Sequence, residues 1–469
     1  MDDITYMNNR HLIKSFTANS VLNSKEINFV FDDVENHLNF TNCKDLNSSG
    51  IARFTPSPVA ITAIRLSTAR IKNYYSNIKI NVAENFEKDK IIVIPTGVTH
   101  SPPDWTGYGD LQKRYDDQMR KTQSILYYVN EERLLKLKNK TAFLLIDQTH
   151  EGYHVDWLFD WFHDMCKHYN VSPNQIIYTT GDLDSSFKYE NWCQEQNYNG
   201  EKLNIVPHAH FEQVIYTTMV NNVKIKNSNP LPRHLGHLAY KKQNIDSVKV
   251  YSCLQKRTRG HRMWLFSELF QNDLLDDGLL SMNSFEHRHS YYEGKTIPVE
   301  IYNEFVKLLP IYPEERPTVN DQHAFESASG STYITDLNTE TALNSFVTVV
   351  SEAQFAENNC FLSEKTFKPI ANCHPFIIYG NKGSLKHLHN LGYKTFSDWW
   401  REDYDDYDTW NRLAVIIDIL KQLQEKSKQE LVDMYKDMRS VIEHNYNIFN
   451  KNSKLIDPVT IRISELTNV

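Results

Sequence analysis

The chain is 469 residues long and has no apolar run near the roughly 18 residues that a membrane-spanning helix needs. No membrane partner is therefore expected. The first ten residues, MDDITYMNNR, are acidic and polar and do not read as a secretory leader. There is no CxxC pair: Cys43, Cys166, Cys193, Cys253, Cys360 and Cys373 are scattered, which suits reduced, mostly buried thiols and a cytoplasmic protein. No GxGxxG follows a strand, which disfavours a dinucleotide oxidoreductase, and no GxxxxGK[ST] marks a P-loop ATPase. No GxSxG is present, which disfavours a hydrolase built on a nucleophilic serine elbow. An excess of basic residues is missing too. With 51 Lys and Arg against 59 Asp and Glu, the formal net charge is −8, which excludes a general nucleic-acid coat but leaves room for a local basic pocket. Repeats and low-complexity tracts are absent.

What is present alternates between strand-like and helix-like segments. INFVFDDV (27–34), SPVAITAIRL (57–66), IKINVA (78–83) and KDKIIVIPTGV (88–98) read as strands. The segment 116–139 has helical spacing. TAFLLIDQTHEGYH (141–154) is a strand that runs into Asp147, His150, Glu151 and His154. VDWLFDWFHDMCKHY (155–169) reads as a helix, and QIIYTTGDLD (175–184) and KLNIVPHAHF (202–211) as strand–loop units. Such alternation predicts βαβ units and a parallel sheet, with ligands received past the strand C-termini. Residues 220–246, rich in Asn with two prolines, read as an interdomain linker.

A second α/β unit follows. Val248 to Leu254 is a strand, and the next seven residues, Lys256 to Arg262, hold four Lys/Arg and one His before a helix with Leu265, Phe266, Leu269 and Phe270 on one face. NSFVTVVSEAQF (344–355) is a strand that ends at Glu352. CFLSEKTFKPIANCHPFIIYGNKG (360–383) parses as a helix N-capped by Ser363, then a strand from Pro375, then a turn at Gly380 and Gly383. Lys365 and Lys368 are expected in the first turn of that helix. Cations at a helix start oppose the helix dipole, so two such junctions suggest a bound anion. The plainer reading is a pair of solvated lysines. Together the two junctions would surround a diphosphate with charge-assisted donors. SDWWREDYDDYDTW (397–410) is acidic and aromatic, and Asp403, Asp405, Asp406 and Asp408 read as a solvated loop. From Arg412 to Phe449 the pattern is helical, with Leu413, Ile416, Ile417, Leu420 and Leu423 on one stripe, and the tail to Val469 looks extended.

The order of the basic strand-to-helix junction ending in His261-Arg262, the strand with Glu352, and Leu362-Ser363-Glu364-Lys365 with Pro375 and Gly380 resembles the donor-binding domain of GT-B glycosyltransferases, most nearly the α1,3-fucosyltransferase type. It is also similar to uncharacterised proteins of large tailed phages with SEKTFKPI-like segments. The resemblance covers roughly residues 249–396. It implies an α/β fold with two Rossmann-like parallel-sheet domains facing a cleft and C-terminal helices crossing between them. The boundaries expected are 1–235 for the acceptor side, 246–410 for the nucleotide-sugar side, and 411–469 for the C-terminal helices. It implies that Arg262 contacts the donor diphosphate, Lys365 neutralises it, and Glu364 bonds the ribose or sugar, with Arg257, Arg259, Glu352, Ser363 and Lys368 around them.

The expected activity is sugar transfer from a nucleoside-diphosphate sugar to a hydroxyl acceptor by a hexosyl- or pentosyltransferase. A hydroxymethylated base of phage DNA is one candidate acceptor. No cofactor is required, and no divalent metal is expected. Asp182-Leu183-Asp184 looks like the metal-holding DxD of another glycosyltransferase fold, but paired acids are common in turns; His208 and His210 lack a third ligand at metal spacing. For a general base, Asp147, His150 and Glu151 are the candidates, because they cluster at a strand end; otherwise they cap the helix near Val155. Trp399 and Trp400 read as core, with stacking on a base or sugar as the alternative. The competing class is a catalytically silent GT-B-like binding or virion-associated module.

Overall fold

The computed structural model describes residues 27–31, 80–82, 91–95, 131–149, 152, 154, 158–216, 248–255, 258–282, 291–292, 295–311, 337, 339–353, 355, 359–452 and 458–467. The expected strand at 57–66, the linker, Cys43, and most of the segment 116–139 lie outside them. The chain divides into two compact units. Unit 1 comprises residues 1–208 and 454–469, and unit 2 residues 209–453.

Unit 1 is built on six parallel strands: β1 (Ile27–Phe31), β2 (Ile80–Val82), β3 (Ile91–Pro95), β4 (Phe143–Gln148), β5 (Ile176–Thr180) and β6 (Asn204–Pro207). Their order is β2-β1-β3-β4-β5-β6. Register pairs Ile146 with Ile94 and Tyr178, which places the ends of β3, β4 and β5 side by side. Its helices include α1 (Glu131–Lys138), α2 (Leu158–Tyr169) and α3 (Ser185–Glu195). Leu144, Ile146, Ile176 and Tyr178 form one core cluster with Leu158, Phe162 and Met165 of α2 and Tyr189 of α3. Leu145 and Ile177 are buried too, as the strands of a parallel sheet covered on both faces require.

Unit 2 carries a four-stranded parallel sheet. Its strands are β7 (Lys249–Leu254), β8 (Gly278–Ser281), β11 (Ser345–Ser351) and β12 (Phe376–Tyr379), in the order β12-β11-β7-β8. A short antiparallel pair, β9 (Tyr291–Tyr292) and β10 (Lys295–Thr296), stands apart from it. The helices are α4 (Gly260–Gln271), α5 (Val299–Val306), α6 (Thr339–Leu343), α7 (Glu364–Ala371), α8 (Ser384–Asn390), α9 (Thr409–Gln424), α10 (Lys428–Asp437) and α11 (Arg439–Asn452). Leu385, Leu388 and Leu391 are buried, and α8 is closed by Gly392, whose φ of +91° is the left-handed conformation a glycine supplies cheaply at a helix end.

Two expectations are corrected. The helical pattern from Arg412 to Phe449 is divided among α9, α10 and α11, and Ser427 caps α10: its backbone N–H donates to Glu430 Oε2 at 2.8 Å and its hydroxyl accepts from Glu430 N at 3.3 Å. The tail is a helix, α12 (Pro458–Thr467), which belongs to unit 1. Pro458 is preorganised for a first helical position, and the Arg462 guanidinium donates to Asn204 Oδ1 of β6 at 2.7 Å, so tertiary contact overrides a β-branched sequence.

The second correction concerns the acidic stretch, which is only partly solvated. Asp403 and Asp406 are exposed, but Asp405 is buried and accepts from Leu385 N and Lys386 N at 3.1 Å, satisfying the start of α8. Asp408 caps α9, accepting from Trp410 N and Asn411 N at 2.9 Å. Nearby Glu402 accepts from Phe396 N at 2.8 Å and from the Thr395 hydroxyl. Burial pushes its carboxyl up to about 7 against these bonds, with Asp405 and Asp398 adding to the rise. The folded state thus holds a proton that the unfolded chain releases between the usual glutamate value and about 7, so stability falls as pH rises through that interval. Glu402→Gln can accept from Phe396 N and donate to Thr395. In urea titrations at pH 5 and pH 8 we expect wild type to lose up to about 3 kcal/mol more than the variant on going to the higher pH, since one pKa unit corresponds to about 1.4 kcal/mol.

Candidate functional site

In the unit 2 sheet the strand order reverses direction between β7 and β11. The first βα connection leaves towards β8 and the later one towards β12, and sheets of this kind receive ligands at such a point of reversal, here past the ends of β7 and β11. Both basic junctions lead to this point. α4 begins just beyond β7. Its N-cap position is held by Arg259, which makes no side-chain capping bond, so a cation stands where an acceptor usually does. α7 begins after β11 and is capped by Ser363, whose hydroxyl accepts from Lys365 N at 3.3 Å.

The two helix starts meet on one residue, Glu352, which is wholly buried. Its carbonyl oxygen bonds Arg262 Nη2 at 3.0 Å and His261 Nε2 at 3.1 Å, both from the first turn of α4. Its carboxylate serves α7. Oε1 accepts from Ser363 N at 3.0 Å and from Thr366 Oγ1 at 2.6 Å. Oε2 accepts from the Ser363 hydroxyl and from Ala353 N at 2.9 Å. Its N–H donates to Tyr379 O at 3.0 Å, at the end of β12. The Gly380 backbone lies against the same side chain: a Cβ there would stand 3.0 Å from Glu352 Cγ. The Arg412 guanidinium of α9 donates to the carbonyls of Gly380, Tyr404 and Tyr407 and holds that turn.

The electrostatics agree with this convergence. Burial depresses the His261 pKa well below its ordinary value, and the charge of Arg262 adds to this. The bond to the Glu352 carbonyl opposes it, while Arg259 and Lys365 press in the same direction as Arg262. The ring is therefore neutral at pH 7, and charges from both helix starts reach it. It stacks on Phe355, centroids 5.1 Å apart and planes 20° apart. Glu364 is nearly buried and pairs with Lys365 Nζ at 2.6 Å. Its burial alone would raise the carboxyl, but Lys365 and then Lys368 more than offset it and hold it down to about 2. Two buried polar atoms at the crevice, Gln255 Oε1 past β7 and Ser351 Oγ at the end of β11, make no hydrogen bond among the described residues. Extending the observed strand register places these two residues opposite each other.

Of the residues expected from sequence, Arg262, Glu352, Ser363, Glu364 and Lys365 come together here, and Arg259 acts on the same histidine. Lys368 is corrected: it lies in the last turn of α7 rather than the first, because the helix has only eight residues. Arg257 lies outside the described residues. Sequence reasoning missed Thr366, Phe355 and Arg412, and read Gly380 as a turn without its contact to Glu352. Thr366 was findable, since Ser363-x-x-Thr366 puts two hydroxyls on one side of a helix start; Arg412 has no local signal. In unit 1, Asp147 is the second-last residue of β4, in register with Pro95 and Thr179, while His150 and Glu151 lie outside the described residues. Asp182 follows β5, where it is buried, pairs with Lys188 Nζ at 2.5 Å and accepts from Asp184 N at 3.3 Å; this is a structural turn at the start of α3. Trp400 is buried against Phe396. Burial pushes the thiols of Cys166 and Cys373 up to about 12, too high for nucleophilic work at neutral pH.

No protein-family model matches the chain, and no curated protein matches it. Among solved structures, it is similar to an α1,3-fucosyltransferase crystallised with GDP-fucose, at 8% identity over 99% of this chain and 96% of that one, with a TM-score of 0.34. It is also similar to a UDP-GlcNAc 2-epimerase from Neisseria meningitidis bound to UDP-GlcNAc, at 10% identity over 95% and 100% of the two chains, with a TM-score of 0.33. Among the described residues, no helix is long and apolar enough to cross a membrane.

The Glu364 carboxyl provides a pH test. Its folded value is depressed, so its contribution to stability is complete above the usual 4.5 and is lost as pH falls towards about 2. Glu364→Gln should be less stable than wild type by about 1–3 kcal/mol at pH 7, through loss of a charge-assisted bond that leaves Lys365 poorly paired. The gap should close below pH 3, as read from denaturant midpoints at each pH.

Proposed function

We propose that the protein is a nucleotide-sugar-dependent glycosyltransferase whose donor diphosphate binds at the β7/β11 crevice of unit 2. The observation that carries this reading is the convergence of two cation-bearing helix starts on Glu352 at the point where the strand order reverses. Arg259, Arg262 and Lys365 supply positive charge there, and each helix start adds the positive end of its dipole. A leaving diphosphate gains negative charge as the glycosidic bond breaks, and fixed donors of this kind stabilise it without reorganising. Glu364, kept ionised by its lysines, suits an acceptor of ribose or sugar hydroxyl bonds. Gln255 Oε1 and Ser351 Oγ offer two further polar groups beneath the crevice.

Unit 1 takes the hydroxyl acceptor, with Asp147, His150 or Glu151 as general base if the reaction inverts. No cofactor enters the chemistry. Hydroxymethylated DNA is one acceptor to assay beside free sugars.

The test is thermal stabilisation by UDP, GDP, ADP, CDP and dTDP. One of the five should raise the melting temperature of wild type. Arg262→Ala and Lys365→Ala should each weaken its binding by about 10–100-fold, the size expected for one charge-assisted hydrogen bond of roughly 1.5–3 kcal/mol. No shift with any nucleotide, or an unchanged shift in both variants, overturns the proposal. Binding without transfer to any acceptor identifies a silent module.

A further inference from the structure

We propose that Glu352 is a positioning residue that locks the α4 and α7 helix starts into one anion site, without itself touching the ligand. The proposal rests on the diphosphate reading above and adds the source of its geometry. Each carboxylate oxygen already receives two donors: Ser363 N and the Thr366 hydroxyl on Oε1, Ala353 N and the Ser363 hydroxyl on Oε2. Four bonds to a buried carboxylate leave little room for a fifth partner, so this side chain is ill suited to bind a nucleotide. What it can do is fix distance. Its carboxylate holds the first turn of α7, and its carbonyl, three bonds from the same Cβ, holds Arg262 and His261 of α4. One residue thus sets the spacing between Arg262 and Lys365, and the close Gly380 backbone prevents it from moving away.

The donor pattern makes one substitution diagnostic. Each oxygen receives one hydroxyl, which can turn to become an acceptor, and one backbone N–H, which cannot. Glu352→Gln keeps the volume, but whichever way its amide is placed, an NH₂ faces a fixed N–H. The α7 start must then shift, and the α4 start with it. Thr366→Val is milder: it removes one donor and keeps the shape.

The experiment measures binding of inorganic pyrophosphate, and of the nucleotide selected above, by calorimetry on the full chain. Amide hydrogen exchange is followed in parallel on residues 260–263 and 363–366. For Glu352→Gln we expect binding at least tenfold weaker and faster exchange at both helix starts, with α9 unchanged. Thr366→Val should give the same pattern at about two- to fivefold. A purely structural role would lower the melting temperature but leave the dissociation constant of the folded protein at its wild-type value, and that result overturns the proposal. So does faster exchange at α7 alone. If Glu352→Gln does not fold, Thr366→Val decides through the same two readouts. If wild type binds no diphosphate, the functional reading falls, and the paired exchange at α4 and α7 still decides whether Glu352 couples them.

Discussion

A carboxylate removed from water must be surrounded by donors, and in unit 2 that requirement organises the neighbourhood of Glu352. The donors come from its own β11 exit and from the α7 start, while its backbone engages the α4 start and the end of β12. None of these elements is adjacent in sequence to all the others. The burial of one negative charge therefore dictates where two positively charged helix starts stand. The net local charge remains positive, because Arg259, Arg262, Lys365 and Lys368 outnumber Glu352 and Glu364. A site of this kind is costly to assemble empty and well matched to a multiply charged anion.

The two sheets share a logic. In each, the first two strands of the described order run outward from one side and the remainder from the other, giving β2-β1-β3 in unit 1 and β8-β7-β11 in unit 2. Each therefore has its own point of reversal, and in unit 2 that is where the polar side chains collect. In unit 1 the register carries Asp147 to the end of the neighbouring strand from β3.

Much of this was legible in the chain. The strands β4, β5, β7, β11 and β12 are short apolar runs closed by polar, Gly or Pro residues, and the fully buried strands of a parallel sheet leave that mark. Ser363 was legible as a cap because capping is local chemistry. The convergence on Glu352 was not, since its partners span residues 261 to 379 and only folding brings them together. The acidic stretch misled for a related reason: a run of Asp is solvated on average, yet Asp405 and Asp408 sit at helix starts whose free N–H groups need acceptors. The tail misled because Val, Thr and Ile favour extended chain locally, whereas the Arg462–Asn204 bond and the burial of Val459 favour a helix. Lys368 was placed in the first turn, although with Ser363 as the cap it is the fifth helical residue, one turn from Glu364, on which its charge acts.

The approach of the Gly380 backbone to Glu352 has a consequence for how such a chain can change over time. The two positions share one small volume, so change at one is felt at the other. A relative that acquires alanine at 380 needs the acid at 352 to yield by a few tenths of an ångström, against the bonds that tie it to Ser363 and Thr366. Drift in this corner of the molecule is therefore coupled.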